Sequence, residues 1–499
     1  MAELLYQQLA DHYLGLLRSG ALRDGDRFPS VRQLMRTHQV SMSTATQACH
    51  VLEDAGHLVA RPRSGYYVQA APRTRLKPPA EGRPLLAKVP AEAYRGLNLF
   101  ISEYLARAES APTRINFGVA VGAPALYPAA ALQRIAASLL RREPQVLTTM
   151  ARQYGHPELT QALAHRELAR GMGVRPQDIT ITCGCSEAIQ LALRATTQPG
   201  DTVAVESPTF HGALQLLSSL GLHALEIPTS PVHGLSVPAL ELALRTHAPP
   251  IRAVLVMPTV HNPLGCSMPD EKKAALVALC ARHDVALIED NNYSPMDARQ
   301  VHSRPAKAWD TNGGVIYCAS LNKILAPGMR IGWMLAGRWQ ARVEMLKYTQ
   351  SRFPEELGQR VLARFIDSRA FDAHLRRMQH TLRIQRQRMA DAVALHFGDS
   401  AALHVPDGGL MMWLQLPAGV SGTHLANAAL REGIRTIPGA LCSALPQFDA
   451  YLRLSCGAVT PEGIDEGVAT LARLARGLAV RKSPPRAATA PVSPAPLLE

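Results

Sequence analysis

From about residue 93 to 478, short apolar runs alternate with stretches of helical periodicity, and no other feature constrains the fold as strongly. Examples are Thr202-Val-Ala-Val-Glu206, Ala253-Val-Leu-Val-Met257, Val285-Ala-Leu-Ile-Glu289 and Val315-Ile-Tyr-Cys-Ala319. Such runs do not alternate apolar with polar, so they read as strands buried on both faces. Each is followed by a loop and a helical stretch. That pattern predicts an α/β domain: a mostly parallel sheet with helices on both faces.

A chain of 499 residues is long enough for two to four domains. We expect a helical module over 1–70, a basic linker over 71–92 carrying Pro72, Pro78, Pro79, Pro84 and Pro90, the α/β domain over 93–478, and a disordered Pro/Ala-rich tail over 479–499. No apolar run approaches the roughly 18 residues needed to cross a bilayer, and the N-terminus carries no signal-peptide pattern. A membrane partner is therefore not expected. The eight cysteines are scattered, and Cys183-Gly-Cys185 is the one close pair. No second pair or His cluster accompanies it, so reduced thiols, no metal site and a cytoplasmic protein are expected. The net charge of +13 is uneven: residues 60–90 hold seven Lys/Arg against one Asp/Glu. A basic stripe beside a small helical module is the electrostatic footprint of a duplex binder.

The N-terminal module supports that reading. Leu5–Leu17 has apolar residues at helical spacing; Ser30 is placed to cap a helix over Val31–His38; Val40–Leu52 follows after a short turn, with Ser41 as a cap. Two helices so joined form a helix-turn-helix, and Gly56–Val68 reads as a strand-turn-strand wing. The motifs Phe28-Pro-Ser-Val-Arg32, Val40-Ser41, Ser43-Thr44, Leu52-Glu-Asp-Ala-Gly56 and Arg61-Pro-Arg-Ser-Gly-Tyr-Tyr-Val68 resemble the GntR family of winged helix-turn-helix regulators over residues 3–69. The resemblance implies that Arg32, Ser43, Thr44, Ser64 and Gly65 face a double-stranded DNA operator. Many relatives carry Arg where this chain has Met42 and Thr46.

In the α/β domain, Ser320-Leu-Asn-Lys323-Ile-Leu-Ala-Pro-Gly-Met-Arg330 sets a lysine between a hydroxyl and an arginine. A lysine that forms a Schiff base with an aldehyde cofactor needs the cofactor's phosphate anchored nearby, which points to pyridoxal phosphate. Such a site also needs an acid for the pyridine nitrogen, donors for the phenolic oxygen, a ring for stacking and a phosphate cradle. Asp290 ends an apolar run, where ligands of open α/β sheets bind. Tyr293 and Asn262 are candidate donors. The turn Gly184-Cys185-Ser186 opens a helix whose free N–H groups suit a phosphate, and Phe210 is the candidate stacking ring.

Their order resembles the class I aminotransferases, fold type I of the pyridoxal-phosphate enzymes, over about residues 110–475. That resemblance implies a smaller C-terminal lobe, Lys323 as the cofactor lysine, and phosphate contacts from Ser320, Arg330 and the Cys185–Ser186 turn. It assigns Asp290 to the ring nitrogen, Tyr293 and Asn262 to the phenolic oxygen, and Phe210 to the ring face. Arg453, in Tyr451-Leu-Arg453-Leu-Ser-Cys-Gly457, is implied to grip a substrate α-carboxylate. Tyr154 is implied to reach the phosphate of a neighbouring subunit, hence a homodimer. A GntR-type reader joined to such a domain resembles the MocR-type bacterial transcriptional regulators. This implies that the cofactor domain senses an amine, an amino acid or pyridoxal phosphate itself. A working aminotransferase with an appended DNA-binding module, and a domain kept as a dimerisation scaffold, are the other readings.

Overall fold

The computed structural model describes residues 5–18, 21–22, 25–54, 57–61, 64–68, 76–79, 91–297 and 304–482. Most of the expected linker (71–75 and 80–90), residues 483–499 of the expected tail, Gly56, and Pro62–Arg63 of the wing lie outside these. The chain divides into two compact units, Met1–Arg75 and Leu76–Glu499.

In the first unit, helix α1 (Leu5–Arg18) packs by an apolar stripe that includes Leu9 and Tyr13, spaced i, i+4. Helix α2 (Val31–His38) starts at a capping box: the Gln33 N–H donates to Ser30 Oγ, and the Ser30 N–H donates to Gln33 Oε1. Helix α3 (Met42–Asp54) lays Ala45, Ala48, Cys49 and Leu52 on the same core. Strands β1 (Leu58–Arg61) and β2 (Gly65–Val68) pair antiparallel, Leu58 opposite Val68. The hairpin is tied back through Phe28 N–H to Tyr66 O (2.9 Å) and Val68 N–H to Asp26 O (2.8 Å). The module is a winged helix-turn-helix.

The second unit is built on an eight-stranded sheet. Its spatial order is Ile179–Thr182, Gly332–Leu335, Val315–Ser320, Ala286–Asp290, Ile251–Val256, Thr202–Ser207, His223–Ser230, Gly234–Leu235. The strands from Val315–Ser320 through His223–Ser230 run parallel. Gly332–Leu335 is antiparallel to both of its neighbours. Each of the four apolar runs supplies a strand. Period-two alternation divides the strands Thr202–Ser207, Ile251–Val256 and Ala286–Asp290 between two apolar layers: Val203 and Val205 join one, Ala204 the other. A smaller lobe carries a four-stranded antiparallel sheet (Ala402–His404, Met411–Gln415, Tyr451–Ser455, Ile437–Pro438). Among the described residues no helix is long and apolar enough to cross a membrane.

Two stretches differ from expectation. The last helix, Pro461–Lys482, runs into the segment expected to be tail, because Leu471, Ala472 and Ala475 bury one face of it. Residues 76–79 of the expected linker lie against the second unit: Leu76 packs on its core, and Lys77 O accepts from the Leu403 N–H at 3.1 Å.

Candidate functional site

Asp290 closes the strand Ala286–Asp290 and shares the face of Ala286 and Ile288, toward the helix Cys185–Thr196. It is buried, and its Oδ1 accepts from the Asn292 N–H (3.2 Å) and the Cys185 thiol (3.6 Å). Burial pushes its pKa up to about 6, against the opposing pull of those two donors and the Lys323 charge. On the opposite strand face, Glu289 accepts from the Asn291 amide and from the N–H groups of Ala306 and Lys307, which fixes the strand end.

An anion cradle forms beside it. Gly184 precedes the helix Cys185–Thr196 at φ +80°, a conformation that favours glycine. A Cβ there would stand 2.8 Å from Asn322 Nδ2 and 3.1 Å from Arg330 Nη2, so backbone, amide and guanidinium converge on the helix N-terminus. Gly332 lets its strand lie close against Gly184: a Cβ on Gly332 would stand 2.6 Å from the Gly184 carbonyl carbon. Arg330 is held at φ +54°, a conformation costing a non-glycine residue roughly 1–2 kcal/mol. Ser320 is buried and shares a 2.6 Å hydrogen bond with Asn292 Oδ1.

The small lobe contributes Arg453, from the middle of the strand Tyr451–Ser455 and only 2% exposed. It donates to Asn262 Oδ1 at 3.0 Å and to the Gly118 carbonyl, while its Nε has no hydrogen-bond partner. A guanidinium buried on neutral oxygens alone carries an unmatched charge, and burial lowers its pKa. Tyr293 donates its hydroxyl to the Ala120 carbonyl at 3.3 Å, and the Lys323 Nζ stands 5.7 Å from the Tyr293 ring centre. His211, next to Phe210, is neutral: burial and the Arg453 charge press its pKa down to about 3.

One cavity of about 310 Å³ is lined by Cys185, Ser186, Phe210, Asn262, Asp290, Tyr293, Ser320, Lys323, Arg330 and Arg453. Its volume lies at the low end of the range for small-molecule sites. Tyr154 is not among the lining residues; it is 44% exposed, and its carbonyl accepts from the Ile181 N–H. Sequence reasoning assigned no role to Asn292, Asn322, His211 or Arg435, all of which line the cavity. Nothing local marks His211 or Arg435.

In the first unit, Arg32 is exposed on α2, while Ser43 and Thr44 lie in the first turn of α3. Both hydroxyls lie 2.8 Å from Ser41 Oγ, which also accepts from the Thr44 N–H. Ser64 Oγ lies 2.7 Å from the Tyr67 hydroxyl, and Gly65, which pairs with Arg61 at the start of β2, has φ +99°. Met42 is 67% exposed at the start of α3.

Comparison with known proteins agrees with both units. Residues 5–68 match the bacterial regulatory proteins of the gntR family, and residues 118–471 match aminotransferase class I and II. The chain is 35% identical to the uncharacterized HTH-type transcriptional regulator YdcR of Escherichia coli, over 94% of this chain and 98% of that one. It is 30% identical to the HTH-type transcriptional regulator TauR of Rhodobacter capsulatus, over 92% and 94%. The crystal structure of LysN, an alpha-aminoadipate aminotransferase from Thermus thermophilus complexed with N-(5'-phosphopyridoxyl)-L-leucine, superposes with a TM-score of 0.69 at 26% identity, over 76% of this chain and 95% of that one. The aminotransferase class I/II family binds pyridoxal phosphate. The groups present here fit it: a glycine cradle with convergent donors, a buried carboxyl that gains from a facing N–H, and a lysine in the same cavity. This chain is a GntR-type transcriptional regulator fused to an aminotransferase class I/II domain, and it belongs to the MocR-type family.

Proposed function

We propose that the protein is a transcriptional regulator whose second unit senses an amino acid or amine through pyridoxal phosphate held at Lys323. The observation that carries this reading is the cavity itself. It joins Lys323 and Asp290 to a buried guanidinium, Arg453, whose hydrogen bonds go only to neutral oxygens, in a chain whose other unit is a winged helix-turn-helix.

In this reading Lys323 Nζ is the attachment point for the cofactor's aldehyde. Asp290, as a carboxylate, would face the ring nitrogen and accept its N–H as the counter-charge that keeps it protonated; Tyr293 and Asn262 would serve the phenolic oxygen, and Phe210 the ring face. Ser320, Arg330 and the N–H groups of Cys185 and Ser186 hold the phosphate. When bound, pyridoxal phosphate supplies an aldehyde that condenses with amines and a ring that draws electrons. Lys323 would be the residue with which a ligand amine competes for the aldehyde, and Arg453 would hold the ligand's carboxylate. Asn262 and Gly118, both already bonded to Arg453, then register the ligand in the packing around the strand Tyr451–Ser455. Coupling that change to operator binding by the winged module is the regulatory step. The working unit is a homodimer in which Tyr154, exposed and outside its own chain's cavity, serves the partner's site. Arg32, Ser43, Thr44, Ser64 and Gly65 face the operator.

The test is spectroscopic. Purified protein is expected to show a visible absorbance band that borohydride removes and that the Lys323→Ala variant lacks. An amino acid is expected to shift the band and to change operator affinity in a mobility-shift assay. A colourless protein that ignores added cofactor sinks the reading and leaves a scaffold. Steady keto-acid release from an amino donor, with operator affinity unaltered, favours an aminotransferase instead; Lys323 and Asp290, which line the cavity, would then serve as its lysine and its acid.

A further inference from the structure

Beside Arg453 the cavity wall carries a second guanidinium. Arg435 lies on the two-residue strand Ile434–Arg435, which pairs in parallel with Ile115–Asn116. Its stem crosses Gly118, where a Cβ would stand 3.0 Å from Arg435 Cγ. The Gly118 carbonyl is also the group that Arg453 holds. The two arginines thus flank one piece of backbone and face one cavity.

Their partners differ. Arg453 has only neutral acceptors. Arg435 Nη1 donates to Glu109 Oε2 at 2.9 Å, and no other side-chain hydrogen bond of Arg435 occurs among the described residues. The Arg435 side chain is 18% exposed, but that of Glu109, on the last turn of the helix Ala91–Ser110, is 80% exposed. An ion pair with so exposed a partner is weakened by water and salt. A second anion held inside the cavity would meet the guanidinium where solvent screens less.

The cavity also holds more positive than negative side chains: Lys323, Arg330, Arg435 and Arg453 against Asp290 and Glu109. A cofactor phosphate answers Arg330, and a ligand α-carboxylate answers Arg453. Arg435 is then the cation left for the far end of the ligand.

We propose that Arg435 is a specificity-determining residue that binds a second acidic group, so that the effector is an amino acid with an anionic side chain. Glu109 is the internal counter-ion that this group displaces. The inference rests on the sensor reading above and names the ligand class for that site.

The experiment uses the full-length protein loaded with pyridoxal phosphate and five probes: L-glutamate, L-glutamine, L-aspartate, L-asparagine and L-lysine. Half-saturation is read from the visible band and, independently, by calorimetry. One charge-assisted contact predicts that the better acid binds roughly tenfold or more tightly than its amide. Arg435→Gln is expected to bring that acid-to-amide ratio near one, Arg435→Lys to retain part of it, and Glu109→Gln to widen it. Three outcomes overturn the proposal: acid and amide binding alike, Arg435→Gln weakening both by the same factor, or L-lysine preferred with the preference lost in Glu109→Gln. The last would make Glu109 the reader of a distal cation. A protein that responds to none of the probes by band, heat or operator affinity removes this inference, and one that also lacks the borohydride-sensitive band removes the sensor reading with it. A response that fails to distinguish acid from amide removes this inference alone.

Discussion

Asp290 is a carboxyl whose burial disfavours its charged form. Its carboxyl ionises near 3.8 when unfolded and at about 6 in the folded chain, with burial as the leading cause. Between those values the folded state holds more protons than the unfolded state, so stability falls as pH rises through the interval and stays lower above it. A shift of that size corresponds to roughly 3 kcal/mol at most. Asp290→Asn keeps an oxygen to accept from the Asn292 N–H but has no charge to bury. Without cofactor, the variant is expected to melt higher than the parent at about pH 8, and the gap is expected to close near pH 4. Added pyridoxal phosphate is expected to raise the parent's melting temperature more than the variant's, because only the parent answers a protonated ring nitrogen with a charge. Thermal scans at two pH values, with and without cofactor, check both. Equal cofactor stabilisation would remove Asp290 from its assigned role.

The first turn of α3 carries no basic side chain. Met42 is 67% exposed in the helix turn that also carries Ser43 and Thr44, and an apolar side chain there can contact a thymine methyl but not a phosphate. Met42→Arg is expected to tighten operator binding, to steepen the slope of log affinity against log salt by about one, and to relax sequence preference. Titrations at several salt concentrations on operator and scrambled duplexes measure all three; an unchanged slope would place Met42 away from the backbone. The elements themselves were legible because their signals are local. Ser30 followed by Gln33 marks the start of α2, and the apolar runs mark the strands. Asp290, Ser320 and Lys323 were legible because parallel strands deliver their carboxyl ends to one edge of the sheet. Arg435 was not. It reaches the cavity only because Ile434–Arg435 pairs with Ile115–Asn116, a register between segments far apart in the chain. Asn292 and Asn322 likewise acquire meaning from partners on other elements, Ser320 and the loop at Gly184. The extension of the last helix to Lys482 was masked by a Pro- and Ala-rich composition that reads as unstructured until the buried face of Leu471, Ala472 and Ala475 is seen.

Across the two units, the sensor reading makes a claim stricter than co-occurrence of two domains. If an effector changes operator affinity by some factor, thermodynamic linkage requires the operator to change effector affinity by the same factor. A coupling of typical size, about 1–3 kcal/mol, corresponds to a change of roughly 5- to 150-fold in each direction. Effector binding is therefore to be titrated by the visible band with and without saturating operator duplex, and operator binding with and without saturating effector. The two ratios are expected to agree. A scaffold predicts both ratios equal to one, since neither ligand then distinguishes two states of the chain. An enzyme with a tethered reader also predicts ratios of one, accompanied by turnover. Arg453→Gln separates these cases further. It removes the side chain that holds Asn262 and Gly118 and that the sensor reading assigns to the ligand's carboxylate, so it is expected to weaken a carboxylate effector and also to pull the ratio toward one when the effector is raised to saturation. Weakened binding with the ratio intact would mean that the signal leaves the cavity by another route, with the freed Lys323 as the first place to look.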